Sequence, residues 1–453
     1  YANGNAAFAG VTTTSSLVSS GSISATLGTF SADTSLSIAD KIVHTGDTDT
    51  AIRFPGVDTI RLDTAGSERL RIRPDGRISI ASSLAVTGVC TAQAFVPSEG
   101  QLSHRNLIIN GAMNVAQRAT SSTTSGYGDV DRWQHEYAST DEAPTFAQVD
   151  ITSGDAPYLV GLTQAAKITN GNQTSGLQAG SQINFMQPIE AQNIRNSGWN
   201  YKSSSSYITF SYWVRASVTQ EYHGFVKTAD GSNYVYPFSL GTLSANTWTK
   251  ITKTIPGNSN LQIDNNNGAG FQVWPVAFYG TSYSNDSITE NAWAAWASGN
   301  RSHDQTSTWW TTNDSTFEIT GVQLEVSSVA TPFEHRAFGD ELLRCQRYYQ
   351  QLPTGGDHVI WGFGRAEGNS ARVQIPLSVP LRASPTITCS NNRSVKYDAT
   401  MVQSTSTPTV YKWDDDFNSI VIDFPSGGSL SHNNVYIVTS DSGSGGLQMS
   451  SEL

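Results

Sequence analysis

Apolar residues recur along this chain at every second position, and the length of the alternating runs changes twice. The first runs are short: Ile60 and Leu62, Leu70 and Ile72, Ile78 and Ile80 each predict a brief strand with one apolar face. "TAGS" and "RPDGR" separate them, the latter holding Pro74-Asp75-Gly76, where proline pre-sets φ and glycine lets the turn close. Two echoes, "SSLVSSGSISAT" from Ser15 and "SSLAVTGVCTAQ" from Ser82, place Ser-Ser-Leu, glycine and alanine at matching offsets. Strands this thin offer two or three apolar side chains each, too few to offset the entropy of ordering a single copy. The pattern therefore predicts association, with apolar faces of several chains meeting on a common axis. Arg61, Arg69, Arg71, Arg73 and Arg77 alternate onto the opposite face, read as solvated.

The runs then lengthen. "HRNLIINGAMNVAQR" reads as a strand stopped by the strong turn signal Asn110-Gly111, opening a new folding unit. "SYITFSYWVRASV", "TWTKITKTI", "FQVWPVAFYG" and "STFEITGVQLEV" follow, with large side chains on both faces of 207–214, so that strand is covered on both sides. Such strands predict a β-sandwich of the jelly-roll kind. A third texture opens with helical spacing in "GDELLRCQRYYQQL", where Leu342, Leu343, Cys345, Gln346 and Tyr349 share a face and Asp340 is the expected N-cap. Strands return at "HVIWGFGRA", "ARVQIPLSVPL", "TVYKW", "SIVIDF" and "NVYIVTS". The expected organisation is all-β: a β-structured shaft over 1–98, a jelly-roll head over 99–339, and a small C-terminal β tip over 340–453.

Composition narrows the setting. Of 453 residues only 14% are charged, yet 38% are hydrophobic and eleven are Trp, which argues for packed rather than disordered chain. A net charge of −11 disfavours nucleic acid, whose binders need basic patches. No window approaches the length of a membrane-spanning helix. Cys90, Cys345 and Cys389 are too few and too far apart for a disulfide framework or zinc site. The start "YANGNAAFAG" has neither an initiator Met nor a secretory signal, so the sequence is expected to be part of something longer. An external role without signal or disulfides points to assembly inside a cell and release by lysis.

With those residues in view, the chain resembles tail fibres of tailed bacteriophages, notably marine and cyanobacterial ones. "DKIVHTGDTDTAIRFPGVDTIRLDTAGSERLRI" resembles a recurrent shaft segment, "RNLIINGAMNVAQR", the later "DRW" and "FEITGVQLEVSSVATPFEHR" a head module distantly similar to carbohydrate-binding jelly rolls. "ELLRCQRYYQ" with "PLSVPLRASPTIT" is similar to the tip of the same proteins. The resemblance implies a homotrimer in the virion, assembled in the host cytoplasm and acting outside cells. It also implies recognition of a host surface glycan or lipopolysaccharide, with other tail or baseplate proteins held through the N-terminal side. Related jelly rolls often hold a structural calcium with acids beside the first Asn-Gly. Here Asn110 to Asn114 and Ile319 to Val322 carry none, so no metal or other cofactor is expected.

The chemistry present favours binding over catalysis. There is no G-x-S-x-G elbow, no H-E-x-x-H and no P-loop, and the eight histidines are scattered. Asp414 to Asp416, after Trp413, read as a solvated turn. Sugar binding without catalysis needs exposed rings for pyranose faces, with amides and carboxylates beside them. The richest segment is 279–310, with Tyr279, Tyr283, Asp286, Trp293, Trp296, Trp309 and Trp310; Trp293 and Trp296 are expected on one side of a short helical turn. Trp361, Tyr411 and Trp413 form a second candidate group in the tip. The leading expectation is a non-enzymatic receptor-binding fibre; the alternatives are a purely structural connector and a polysaccharide depolymerase.

Overall fold

The computed structural model describes residues 40–44, 46–87, 103–352, 359–389, 393–397, 400–403, 406–413, 418–432, 434–440 and 446–453. The chain divides into two compact units, Tyr1–Phe95 and Val96–Leu453. The echo at Ser15 and the Asp414 to Asp416 run lie outside the described residues.

The first unit is an antiparallel meander of five strands in sequence order: β1 (Lys41–His44), β2 (Asp47–Arg53), β3 (Ile60–Thr64), β4 (Ser67–Ile72) and β5 (Ile78–Ile80). Register carries one aliphatic side chain from every strand into a single row, Ile42, Ile52, Leu62, Leu70 and Ile80. This row stays open: Ile42, Ile52, Leu62 and Ile80 are 37–48% exposed. The other face is solvated at Arg69, Arg73 and Arg77 but departs from that reading at Arg61 and Arg71. Arg53, Arg61 and Arg71 also fall in one row, and the Arg61 guanidinium is held 2.7 Å from Asp63, with Arg71 on Glu68. Like charges stacked across strands repel unless acids lie between them. Arg77 does remain exposed.

The second unit begins with a two-sheet sandwich. Its strands are β6 (Ser121–Ser122), β7 (Gln134–Ala138), β8 (Thr145–Asp150), β9 (Gln164–Thr169), β10 (Gln182–Glu190), β11 (Tyr207–Ala216), β12 (Gln220–Thr228), β13 (Tyr234–Leu243), β14 (Thr249–Pro256), β15 (Ala269–Tyr279), β16 (Ala294–Ala295) and β17 (Thr316–Glu325). Short helices α1 (Ala156–Leu159), α2 (Ala191–Arg195) and α3 (Thr308–Thr311) sit in the connections. One sheet runs β14-β11-β17-β9-β8-β6 and the other β16-β13-β12-β15-β10-β7. Among strands β9 to β17, first pairs with last, β9 with β17, then β10 with β15, β11 with β14 and β12 with β13. That nested pairing, dealt alternately to two sheets, is a jelly roll. Its core joins Phe185, Phe210, Tyr212, Phe238, Phe278 and Ile319 between the sheets.

The first predicted strand of this unit is not a strand. Leu107 donates to the Leu324 carbonyl at 2.8 Å, but its neighbours turn to side chains: Ile108 to Asn106 Oδ1 at 3.0 Å, Ile109 to Gln187 Oε1 at 3.0 Å, and Asn110 to Glu341 Oε1 at 2.6 Å. With donors so occupied, no ladder forms. The turn itself is present, with Asn110 at φ 58° and its buried amide bonded to Val115 and Asp131. Gly111 passes so close to strand β17 that a Cβ there would lie 2.1 Å from the Val322 carbonyl oxygen.

The rest of this unit opens with helix α4 (Phe338–Gln346), whose N-cap is Ala337 rather than Asp340. The helix starts three residues early, which places Asp340 and Glu341 in its first turn, where carboxylates favour the positive dipole end. Tyr349, expected on the helix, instead starts a strand. The strands that follow are β18 (Tyr349–Leu352), β19 (Ile360–Glu367), β20 (Ser370–Pro376), β21 (Thr386–Cys389), β22 (Arg393–Tyr397), β23 (Thr400–Gln403), β24 (Thr409–Lys412), β25 (Ser419–Pro425), β26 (Val435–Ser440) and β27 (Leu447–Ser450). They form a three-stranded sheet β18-β27-β21 and a seven-stranded sheet β23-β22-β26-β19-β20-β25-β24 around a second core. After β27, Glu452 pairs with Arg118 at 3.1 Å and with the fully buried Arg132. Arg132 in turn lies 3.5 Å from the centre of the Tyr348 ring. Burial pushes Glu190 up, but bonds from Arg347 and Tyr348 more than offset this and hold it below the usual carboxylate range.

Candidate functional site

The sheet β13-β12-β15-β10-β7 has an outer face, turned away from the sandwich core, that is unusually aromatic. Side chains alternate along β12, so Tyr222 and Val226 enter the core while His223, Phe225 and Lys227 face outward. Register then fixes their neighbours: Phe225 opposite Trp274, Lys227 opposite Gln272, and Asn184 opposite both Val276 and Glu136. Phe225 stacks on Trp274 with centroids 5.1 Å apart. Met186, Val276 and Tyr279 complete a small apolar cluster separate from the sandwich core.

The connection from β15 to α3 lies over this cluster and brings Tyr283, Trp296 and Arg301 to it. The Arg301 guanidinium stands 4.4 Å from the Tyr283 ring centre, 4.8 Å from Trp296 and 5.4 Å from Tyr279. Lys227 Nζ is 4.2 Å from the same Trp296 ring. Burial, and then repulsion from Arg301, lower the Lys227 pKa, while burial raises Glu136 above the usual carboxylate range. Glu136 makes no salt bridge with either cation.

Several polar atoms at this face lack partners. The Asn184 amide is fully buried with neither its nitrogen nor its oxygen bonded, and Gln182 Oε1, Arg301 Nε and Gln305 Nε2 are also unpaired. Each such atom costs about 1–3 kcal/mol unless water or a ligand satisfies it. A hydrogen-bonded pair adjoins them, His223 Nδ1 with Glu290 Oε1 at 3.0 Å. For Glu290, burial pushes upward and the His223 bond pulls the pKa below its ordinary range.

Other recesses contrast with this face. One of about 660 Å³ is lined by Arg336, Arg344 and Arg347, but Arg336 bonds Glu334, Arg347 bonds Glu190 and Arg344 meets His104. Another of about 490 Å³, on the opposite sheet, is bordered by Trp213, Lys250 and Phe333. Among the described residues no cluster of three His, Cys, Asp or Glu is placed to hold a metal ion.

The sequence-predicted residues separate. Tyr279, Tyr283 and Trp296 meet at the outer face, although Tyr279 itself is only 1% exposed beneath its neighbours. Trp293 does not join them. Ala294 and Ala295 pair with β13 as an extended strand rather than a helical turn, so residues three apart point to opposite sides. Trp293 therefore packs edge-on against Tyr236 on the core side and donates to the Pro256 carbonyl at 2.7 Å. Trp309 and Trp310 are 0% and 1% exposed in α3, filling the sandwich core, which corrects their reading as a binding surface. Asp286 is exposed and accepts the Asp304 amide at 3.0 Å, closing a loop. After helix α4, Trp361 is only 4% exposed and packs against Phe424, a further correction. Trp413 is half-buried against that core, and Tyr411 is exposed with the Arg372 guanidinium 3.3 Å from its ring. Lys227, Glu136, Asn184 and Arg301 were missed. Each is ordinary in isolation, and only the register of β7, β10 and β12 brings them together.

No protein-family model matches the chain, and no curated protein matches it. Solved structures similar to it include the enzymatically active domain of tailspike protein 4 of bacteriophage CBA120, at 10% identity over 49% of this chain and 21% of that one, TM-score 0.25. A CBM4 structure is similar at 13% identity over 48% of this chain and 98% of that one, TM-score 0.24. A tandem CBM22 domain pair from Paenibacillus barcinonensis is similar at 7% identity over 80% of this chain and 100% of that one, TM-score 0.25.

Proposed function

We propose that this chain is a receptor-binding fibre protein of a bacteriophage tail, binding cell-surface polysaccharide through the outer face of the β13-β12-β15-β10-β7 sheet without cleaving it. One observation carries the reading: half-buried rings of Tyr283 and Trp296 lie outside the core, beside an unpaired amide and two cations that hold no carboxylate. Rings suit the aliphatic faces of pyranoses, and unpaired donors and acceptors suit their hydroxyls. The open aliphatic row of the first unit supports association, and we propose a homotrimer joined along it. Three copies would turn weak single sites into strong avidity. Tyr411 remains a second candidate contact in the tip.

Adsorption competition tests the proposal. Excess purified chain should block attachment of the virus that encodes it, and release no oligosaccharide from host polysaccharide. Unblocked attachment would favour the connector reading, and released sugar would favour a depolymerase.

A further inference from the structure

Resting on that glycan-binding reading, we infer that the outer face selects an anionic sugar unit, whose carboxylate or sulfate group seats against Lys227 and Arg301. Both cations converge on one ring, at 4.2 Å and 4.8 Å from the Trp296 centroid. Their separation is therefore at most the sum of those two distances. Burial lowers the Lys227 pKa, and repulsion from Arg301 lowers it further. In a protein that only needed a packed surface, an acid would lie between them, as Asp63 and Glu68 lie between the arginines of the first unit.

No acid does so here. Glu136 is near enough to be felt electrostatically by both cations, yet burial raises its own pKa and it pairs with neither. The indole face offsets part of the positive charge, but it forms no hydrogen bond and leaves Arg301 Nε, a buried donor, unused. A carboxylate or sulfate would satisfy those donors through charge-assisted hydrogen bonds. The unpaired Asn184 amide lies buried in the same row as Glu136. Elsewhere in this unit, by contrast, Arg336, Arg347 and Arg132 each already hold a carboxylate.

Affinity electrophoresis of the full chain tests this, using gels loaded with alginate, polygalacturonate or carrageenan and with their carboxyl-reduced or desulfated counterparts. Retardation by the acidic polymers and not by their neutral counterparts is expected, weakening as salt rises. Lys227→Met and Arg301→Gln should each weaken retention about tenfold or more, the loss of one charge-assisted contact. Glu136→Gln should strengthen it. Should Arg301→Gln fail to fold, Lys227→Met, at a partly exposed position, still gives the reading. Retardation by uronate polymers alone or by sulfated polymers alone identifies the group and supports the inference. Equal retardation by acidic and neutral polymers would overturn it while leaving glycan binding standing. Retention unchanged in both variants would also overturn it, by placing anion binding elsewhere. Absence of retardation by every polymer would overturn both this inference and the glycan-binding reading on which it rests.

Discussion

Lys227 and Trp296 meet with Nζ 4.2 Å from the indole centre, one from strand β12 and the other from the connection that follows β16. Removing the ring should disperse the site without unfolding the sandwich, since Trp296 belongs to the small outer cluster and not to the main core. Trp296→Ala is expected to lose about 1–2 kcal/mol of polysaccharide binding, read by isothermal titration, with a smaller change in denaturant midpoint.

The aliphatic row of the first unit should govern association. Leu62 is the middle residue of the five, and Leu62→Glu places a charge where apolar faces would meet. Sedimentation velocity is expected to show dissociation toward single chains, whereas Arg77→Glu, at an exposed turn, should leave assembly unchanged.

Glu452→Gln should destabilise the second unit strongly. Arg132 is 1% exposed and has Glu452 as its carboxylate partner, so neutralising that partner strands a buried cation. A loss of about 3 kcal/mol is expected from equilibrium denaturation.

Asp131 predicts a pH dependence. Burial, only partly offset by bonds from Gln117 and by Arg118, raises its pKa from 3.8 to about 6. A carboxyl whose folded pKa exceeds its unfolded value binds more protons when folded, so its contribution falls as pH rises between those limits. Denaturation measured across that interval should show a downward component of about 1–3 kcal/mol that is absent from Asp131→Asn.

Gly111→Ala should fail sterically, because its Cβ would sit 2.1 Å from the Val322 carbonyl oxygen. The backbone there cannot yield without parting the chain from β17, and a destabilisation of about 2–3 kcal/mol is expected in thermal unfolding.

Much of the architecture was legible because it depends on local period. Alternation located β11, β14, β15 and β17, and helical spacing located α4 apart from its cap. What period cannot show is where a backbone amide finds its acceptor. "NLII" alternates like a strand, yet side chains of Glu334, Asn106 and Gln187, two of them distant in sequence, take three of its four donors. The candidate site was half legible for a similar reason. Aromatic density pointed to 279–310, but the side each ring takes depends on whether Ala294 and Ala295 are extended, and cross-strand pairing with β13 decides that. Lys227, Asn184 and Glu136 carry no signal of their own; they become neighbours only through antiparallel register.

The bond between Glu452 and Arg132 spans 320 positions of sequence. During synthesis, then, the sandwich strands emerge from the ribosome long before the carboxylate that neutralises the arginine beneath them. Until residue 452 is made, Arg132 must stay in water or be held by the Pro188 carbonyl and the Tyr348 ring without a carboxylate partner. Closure of this unit thus waits on residue 452, and a ribosome that stalls before it leaves a product unable to complete it.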